Sequence, residues 1–287
     1  MLDKISNSWA LMAQSFAILR KDEELMLLPI LSAISCILIP ASILTGGGLF
    51  VYPQIKAAAV EQAWHPSHSM LAAFLFLFYL ANYFVILFFN TALVSAASIR
   101  LQGGDPTVRD GIRVAWQRLG VIFQWALVAA TVGMILRMIE GRSNFIGRIV
   151  VSLVGMAWTL ATYFVVPVLA FEDLGPVEAI ERSTQLFRKN WGEEVAGTFS
   201  FGLIFFLLAL PGILLPLLGN SLAGAYGVTI GATLMIVYFI LLAVINSAVH
   251  GIFLAALYRY ASGGEFSQGF RRENFSMAWQ SRSGYRI

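Results

Sequence analysis

Five polar side chains interrupt apolar stretches of the sequence, and they are the residues with the most chemical potential: Asn82, Asn90, Thr91, Asn246 and His250. Asn246 and His250 are four residues apart, which places them on one face of a helix. Thr91 and His250 each lie nine residues before an arginine. If those arginines mark matching helix ends, both side chains lie about 14 Å from that end, near mid-membrane. Two interpretations stay open: a path for a solute or ion, or hydrogen bonds between helices.

Two further pairs of ionisable residues lie at the edges of the apolar stretches. Arg137 and Glu140 are three residues apart, and they form either a gate or a surface pair that reaches the headgroups. His65 and His68 could contact one metal ion, but no third ligand accompanies them. The sequence also has no phosphate-binding glycine loop and no Gly-x-Ser-x-Gly motif. We therefore predict no metal site, no cofactor, no catalytic residue and no enzymatic activity.

The composition is that of a multi-pass membrane protein. Of the 287 residues, 58% are hydrophobic and 12% are charged, whereas a soluble domain has about 25% charged residues. The run from Val195 to Tyr258 contains no Asp, Glu, Lys or Arg. Because a membrane span needs about 20 apolar residues, this run holds two spans, joined at the polar segment Gly219-Asn220-Ser221.

The same criterion predicts six spans: 25–52, 70–99, 119–136, 149–171, 195–218 and 224–258. The predicted fold is therefore all-α, a polytopic membrane protein with six transmembrane helices in three hairpins. A single transmembrane domain covers residues 1–262, and a basic cytoplasmic tail covers residues 263–287.

A short amphipathic segment precedes each hairpin. Apolar residues recur at steps of three and four in three places: Ile5, Trp9, Met12, Phe16 and Leu19; Val108, Ile112, Trp116 and Leu119; Val177, Ile180, Phe187 and Trp191. Such helices either lie along the membrane surface or pack against the ends of the protein's own spans. Residues 15–21 resemble residues 183–189, which together with the repeating hydropathy indicates an internal repeat.

The distribution of lysine and arginine predicts the orientation. With both termini in the cytoplasm, fifteen of these residues lie inside and four lie outside: Lys56, Arg137, Arg142 and Arg148. Because basic residues concentrate in cytoplasmic loops, this orientation is the expected one. All three amphipathic helices then lie on the cytoplasmic face.

Glycine and proline residues interrupt the first and fifth predicted spans. Pro40 with Gly46-Gly47-Gly48 does so in the first, and Pro211-Gly212 with Pro216 in the fifth. Breaks at corresponding positions point to a binding site in repeat-built transporters, although breakers near helix ends also simply shape loops. The motif Gly227-x-x-x-Gly231 allows close helix packing, which serves either the fold or a homo-oligomer.

The segment Phe171–Gly192 carries a set of residues with a familiar pattern: Glu172, Gly175-Pro176, Ala179-Ile180, Arg182-Ser183, Leu186 and Trp191-Gly192. It resembles a signature shared by uncharacterised prokaryotic membrane families, and it is similar to one in the membrane domain fused to some glycerophosphoryl diester phosphodiesterases. Ser8-Trp9 and Leu28-Pro29-Ile30-Leu31 resemble the opening of one such domain-of-unknown-function family. The resemblance implies a six-helix protein of the prokaryotic inner membrane and no established activity.

Physically, the signature is typical of residues that stabilise the fold rather than of residues that catalyse a reaction. Glu172 and Asp173 precede a helix, and negative charge near a helix N-terminus is stabilised by about 0.3–1 kcal/mol. Taken together, the residues predict a transporter or channel with a polar site at mid-membrane. The alternative is a scaffold or accessory subunit that acts through the amphipathic helices. The expected partners are the lipid bilayer, an unknown small solute or ion and a second copy of the chain, with no nucleic acid.

Overall fold

The computed structural model describes residues 12–39, 41–42, 45, 68–191 and 199–263. Several predicted features lie outside these residues: most of the first amphipathic helix, Pro40, Gly46-Gly47-Gly48, His65 and the basic tail after Gly263. Within the described residues the chain forms helices and turns and no strand. The predicted all-α class is therefore confirmed.

The helices follow one another with short connections. They are α1 (residues 12–19), a 3₁₀ turn at Glu23–Met26, α2 (residues 27–39), α3 His68–Leu101, α4 Val108–Gln117, α5 Leu119–Arg142, α6 Phe145–Ala161, α7 Val165–Phe171, α8 Pro176–Trp191 and α9 Phe199–Ala261. Among the described residues, four stretches are long and apolar enough to cross a membrane: Phe76–Leu101, Leu119–Gly141, Phe145–Phe171 and Ile204–Ala261.

Helix α9 is a hairpin whose turn lies at Ala223 and Gly224, rather than at Gly219-Asn220-Ser221. Gly224 has φ 57°, a conformation that glycine adopts without steric cost. Ser221 lies within the helix, and its hydroxyl donates to the carbonyl of Leu218 at 2.8 Å. The two arms of the hairpin are therefore residues 199–222 and 225–261.

Glycines bring the two arms into backbone contact. A Cβ atom added to Gly219 would collide with the backbone of Gly227, and one added to Gly231 would collide with Leu215 and Pro216. Of the two roles predicted for Gly227 and Gly231, close packing within the fold is the one observed. Small residues of this kind are what allows helices to approach closely in a membrane.

The fourth predicted span, residues 149–171, is interrupted. Helix α6 ends at Ala161, and α7 begins at Val165 after a turn at Thr162–Phe164. Pro167 accounts for the break, because it has no N–H for the carbonyl of Tyr163 and its ring crowds that carbonyl. The backbone N–H of Phe164 donates instead to the buried hydroxyl of Ser183 on α8, at 2.9 Å.

The described chain divides into two compact units. One takes its residues from the ranges Met1–Pro29, Leu93–Val108 and Gln185–Ile287, and the other from Ile30–Ala92 and Arg109–Thr184. In the first unit the core surrounds the end of α9, where every residue from Gly251 to Tyr258 is buried. In the second unit the Trp125 and Trp158 rings stack with centroids 5.8 Å apart.

Candidate functional site

Asn246 and His250 lie on one face of the second arm of α9, as predicted, and both are exposed. His250 is the last exposed residue before a buried stretch. One and two turns further along the same face, Phe253 and Leu257 are 3% and 0% exposed. The polar pair thus marks the boundary between the exposed and the buried parts of this arm.

The length of the arm bears on the depth of this pair in a membrane. His250 follows Gly224 by 26 residues, which is about 39 Å along a helix, whereas the hydrocarbon core of a bilayer is about 30 Å thick. If the turn lies at one membrane surface and the arm runs along the membrane normal, His250 lies past the opposite edge of the hydrocarbon. The depth of the pair at mid-membrane stays a prediction, and the residues from Gly251 to Tyr258, between His250 and Arg259, are buried in the protein.

Asn82, Asn90 and Thr91 lie on α3, in the unit that does not contain Asn246 and His250. The Asn82 side-chain amide donates to the carbonyl of Phe78 within its own helix, at 2.8 Å. Asn90 is half-buried, and Thr91 is 1% exposed. These three residues have the environment of polar groups inside a helix bundle. That they line one solute or ion path together with Asn246 and His250 stays a prediction.

Arg137 and Glu140 are exposed residues near the end of α5. With Gly141 and Arg148 they line an open depression of about 430 Å³. The guanidinium carbon of Arg137 lies 5.1 Å from the centroid of the Tyr79 ring, within the range of a cation–π interaction. No ion pair joins Arg137 to Glu140 within the described part of the chain, and their role as a gate stays a prediction.

Ion pairs at the helix ends are the polar contacts that the sequence analysis missed. Arg100, at the end of α3, contacts Asp22 through two nitrogens and Asp105 at 2.6 Å. Arg118, between α4 and α5, contacts Asp173 at 2.5 Å. Asp22 and Asp173 are 78 and 55 residues away from their arginines in sequence, so no local spacing could have indicated these two contacts. Asp105 is only five residues from Arg100.

The segment that carries the family resemblance is built around two of these polar contacts. Arg182 donates through Nε to both carboxylate oxygens of Glu172, at 2.9 and 3.0 Å. The neighbouring Ser183 is fully buried and closes the broken span at Phe164. The contacts of this segment are therefore the stabilising ones expected of it. Besides the helix N-terminus, arginine partners stabilise Glu172 and Asp173.

No group of three or more His, Cys, Asp or Glu side chains that could hold a metal ion occurs in the described ranges.

A comparison with protein families shows which family the chain belongs to. Residues 69–269, more than half of its length, match a family of unknown function, DUF6159. The protein belongs to this family. No curated protein and no solved structure matches the chain.

Proposed function

We propose that this protein is a membrane-anchored scaffold or accessory subunit that acts at the membrane surface where its amphipathic helices lie. The observation that carries the proposal is the contrast along α9. Its hairpin exposes large apolar side chains on several sides, such as Ile230, Ile236 and Leu241 at 60%, 56% and 57%, whereas residues 251–258 are buried. A hairpin exposed in this way is suited to anchoring in lipid.

The proposed topology is six spans in three hairpins, with both termini in the cytoplasm of a prokaryotic cell and the chain in the inner membrane. The fifteen-to-four distribution of Lys and Arg supports this orientation. The hairpin of α9 supplies two of the six spans, and the interrupted stretch Phe145–Phe171 supplies one. We also propose that the chain contains the internal repeat predicted from its sequence. No residue is assigned a catalytic role.

The exposed face of α8 is the surface that a partner protein would contact. Val177 is 67% exposed, and Glu178, Glu181 and Gln185 are exposed beside it. The exposed Arg188 lies on the same face, nearer the end of the helix. The acidic residues beside Val177 suit a partner with a basic surface, because complementary charge steers association and fixes the register.

Site-specific photocrosslinking tests this role in cells. A benzoylphenylalanine residue is introduced by Glu181→benzoylphenylalanine, with Ile236→benzoylphenylalanine in the exposed hairpin as the matched control. We expect a discrete protein adduct from position 181 and only lipid adducts from position 236. The absence of any protein adduct at position 181, with the variant at its normal level in the membrane, would contradict the scaffold role.

A second candidate function is a path for a small polar solute or ion. The exposed Asn246 and His250 favour it, since an imidazole and a carboxamide on one face offer both donors and acceptors. The test is light scattering of liposomes that contain the protein, with potassium chloride and glycerol as probes. His250→Leu would slow a real flux by about five-fold, as the loss of one hydrogen bond implies, and Asn220→Leu near the hairpin turn would leave it unchanged.

A further inference from the structure

The exposed faces of the two surface helices α4 and α8 differ in charge. On α8 this face carries Glu178 and Glu181 together with Arg188. On α4 it carries Arg109, Arg113 and Trp116, which is 68% exposed. Both helices turn uncharged residues toward the protein: Gly111 and Ala115 on α4, and Ala179, Ser183 and Leu186 on α8. The difference in charge is therefore confined to the exposed faces.

The apolar stripe of α4 is not its buried face. Gly111 and Ala115 form the buried side, whereas Val108, Ile112 and Trp116 are half-buried or exposed. At 100° per residue, Arg109 and Arg113 follow directly beside Trp116 around the helix. The helix thus has three adjacent zones: small residues against the protein, a partly exposed apolar stripe, and a pair of arginines.

Trp116 lies next to two stretches that are long and apolar enough to span a membrane. It lies three residues before Leu119, where that stretch of α5 begins. Its ring packs edge-to-face with the ring of Phe88, on the corresponding stretch of α3, with centroids 6.4 Å apart. An aromatic ring at the end of a span, next to basic side chains, is typical of a segment at the level of the lipid headgroups.

The two arginines are available to an anionic group from outside the chain. Arg109 has no carboxylate within 4.0 Å in the described part of the chain. Arg113 reaches only Asp110, at 3.4 Å, in a surface pair whose arginine side chain is 61% exposed. Such a pair contributes little binding energy in water, so Asp110 does not occupy the guanidinium group.

We propose that Arg109, Arg113 and Trp116 form a binding site for the headgroup of an anionic phospholipid. The guanidinium groups bind the phosphate, for which their planar arrangement of donors is suited. The Trp116 ring and the stripe of Val108 and Ile112 lie against the upper part of the acyl chains. Within the described residues, the exposed face of α8, on which Arg188 is accompanied by Glu178 and Glu181, lacks such a pair of arginines beside a tryptophan.

The test is native mass spectrometry of the full chain in detergent, titrated with short-chain phosphatidylglycerol or phosphatidylcholine. We expect the first phosphatidylglycerol to bind more tightly than phosphatidylcholine. The double variant Arg109→Gln and Arg113→Gln should weaken that binding by about 30-fold, about five-fold for each arginine near an anionic surface. Arg188→Gln, which removes an exposed arginine from the face of α8, is the matched control and should leave it unchanged.

Folding of each variant is checked by its melting temperature in phosphatidylcholine, which should equal that of the unsubstituted protein. Equal affinity for the two lipids would overturn the proposal. So would a double variant that retains its affinity for phosphatidylglycerol, or inorganic phosphate competing as well as the lipid does. A loss of affinity in Arg188→Gln as large as in the double variant would also overturn it, because the effect would then be one of total charge.

Discussion

The outer and inner parts of the second arm of α9 are equally apolar, but their surroundings differ. Between Ala225 and Asn246 the large side chains are mostly exposed, and the contacts described above are with the first arm of the same hairpin. Between Gly251 and Tyr258 every residue is buried. Hydropathy therefore identifies a helix that enters a membrane, but it does not tell which part of that helix faces lipid.

Small residues mark the close contacts in both parts, which hydropathy does not. In the outer part, Gly227 and Gly231 approach the backbone of the first arm. In the inner part, Ala255 and Ala256 are 0–1% exposed, and a Cβ atom on Gly251 would collide with the Leu93 side chain. In a membrane, where the lipid is as apolar as leucine, close packing of small residues drives helix association.

The largest effect is expected in the outer part of the second arm, where its backbone contacts the backbone of the first arm. Gly227→Ala places a Cβ atom against the backbone of Gly219, which cannot yield as a side chain would. We expect a loss of about 3 kcal/mol in the free energy of unfolding, measured by titration with sodium dodecyl sulfate in mixed micelles. Gly202→Ala is the control, since nothing lies within 4 Å of its added Cβ. Equal stability of the two variants would contradict the observed contact between the arms.

A smaller effect is expected from truncation of the buried inner part. Leu257→Ala removes a side chain that is 0% exposed, and a cavity of this kind costs about 2–3 kcal/mol. Leu241→Ala removes the same atoms from a position that is 57% exposed, and we expect it to cost much less in the same titration. Similar losses at both positions would mean that the outer part is also covered, for instance by a second copy of the chain.

The smallest effect is expected from a single hydroxyl in the hairpin. Tyr238 donates to the carbonyl of Leu208 at 2.5 Å, and hydrogen bonds between membrane helices contribute about 0.6 kcal/mol on average. Tyr238→Phe should lower the free energy of unfolding by about that amount. Tyr226→Phe, at a position 84% exposed near the turn, should have no effect. A loss at Tyr226 as large as at Tyr238 would contradict the assignment.

Several features of the fold could be predicted because they depend on local composition. The charge-free run predicted the hairpin of α9, and the spacing of apolar residues predicted α4 and α8. The position of the turn was harder to predict from the sequence, because Gly224 has no distinctive neighbours and Asn220 and Ser221 fit within a helix. The break before α7 had a signal in Pro167, which the hydropathy of the surrounding span concealed.

The candidate site could be predicted only in part. The spacing of Asn246 and His250 correctly placed them on one face of a helix. Their depth at mid-membrane stays a prediction, because it assumes that an arginine at a helix end lies at the membrane surface. The contacts observed for Arg100 are with Asp22, 78 residues away, and with Asp105, and neither indicates a depth in the membrane.

The most direct test of this account is the accessibility of single cysteines along the second arm of α9. In a Cys36→Ala background, which removes the only native cysteine, His250→Cys and Ile236→Cys are treated with a charged, membrane-impermeant methanethiosulfonate reagent. We predict that His250→Cys reacts in inside-out vesicles and not in intact spheroplasts, and that Ile236→Cys reacts in neither. Reaction of His250→Cys from the outer side would contradict the account and establish a water-filled path across the membrane.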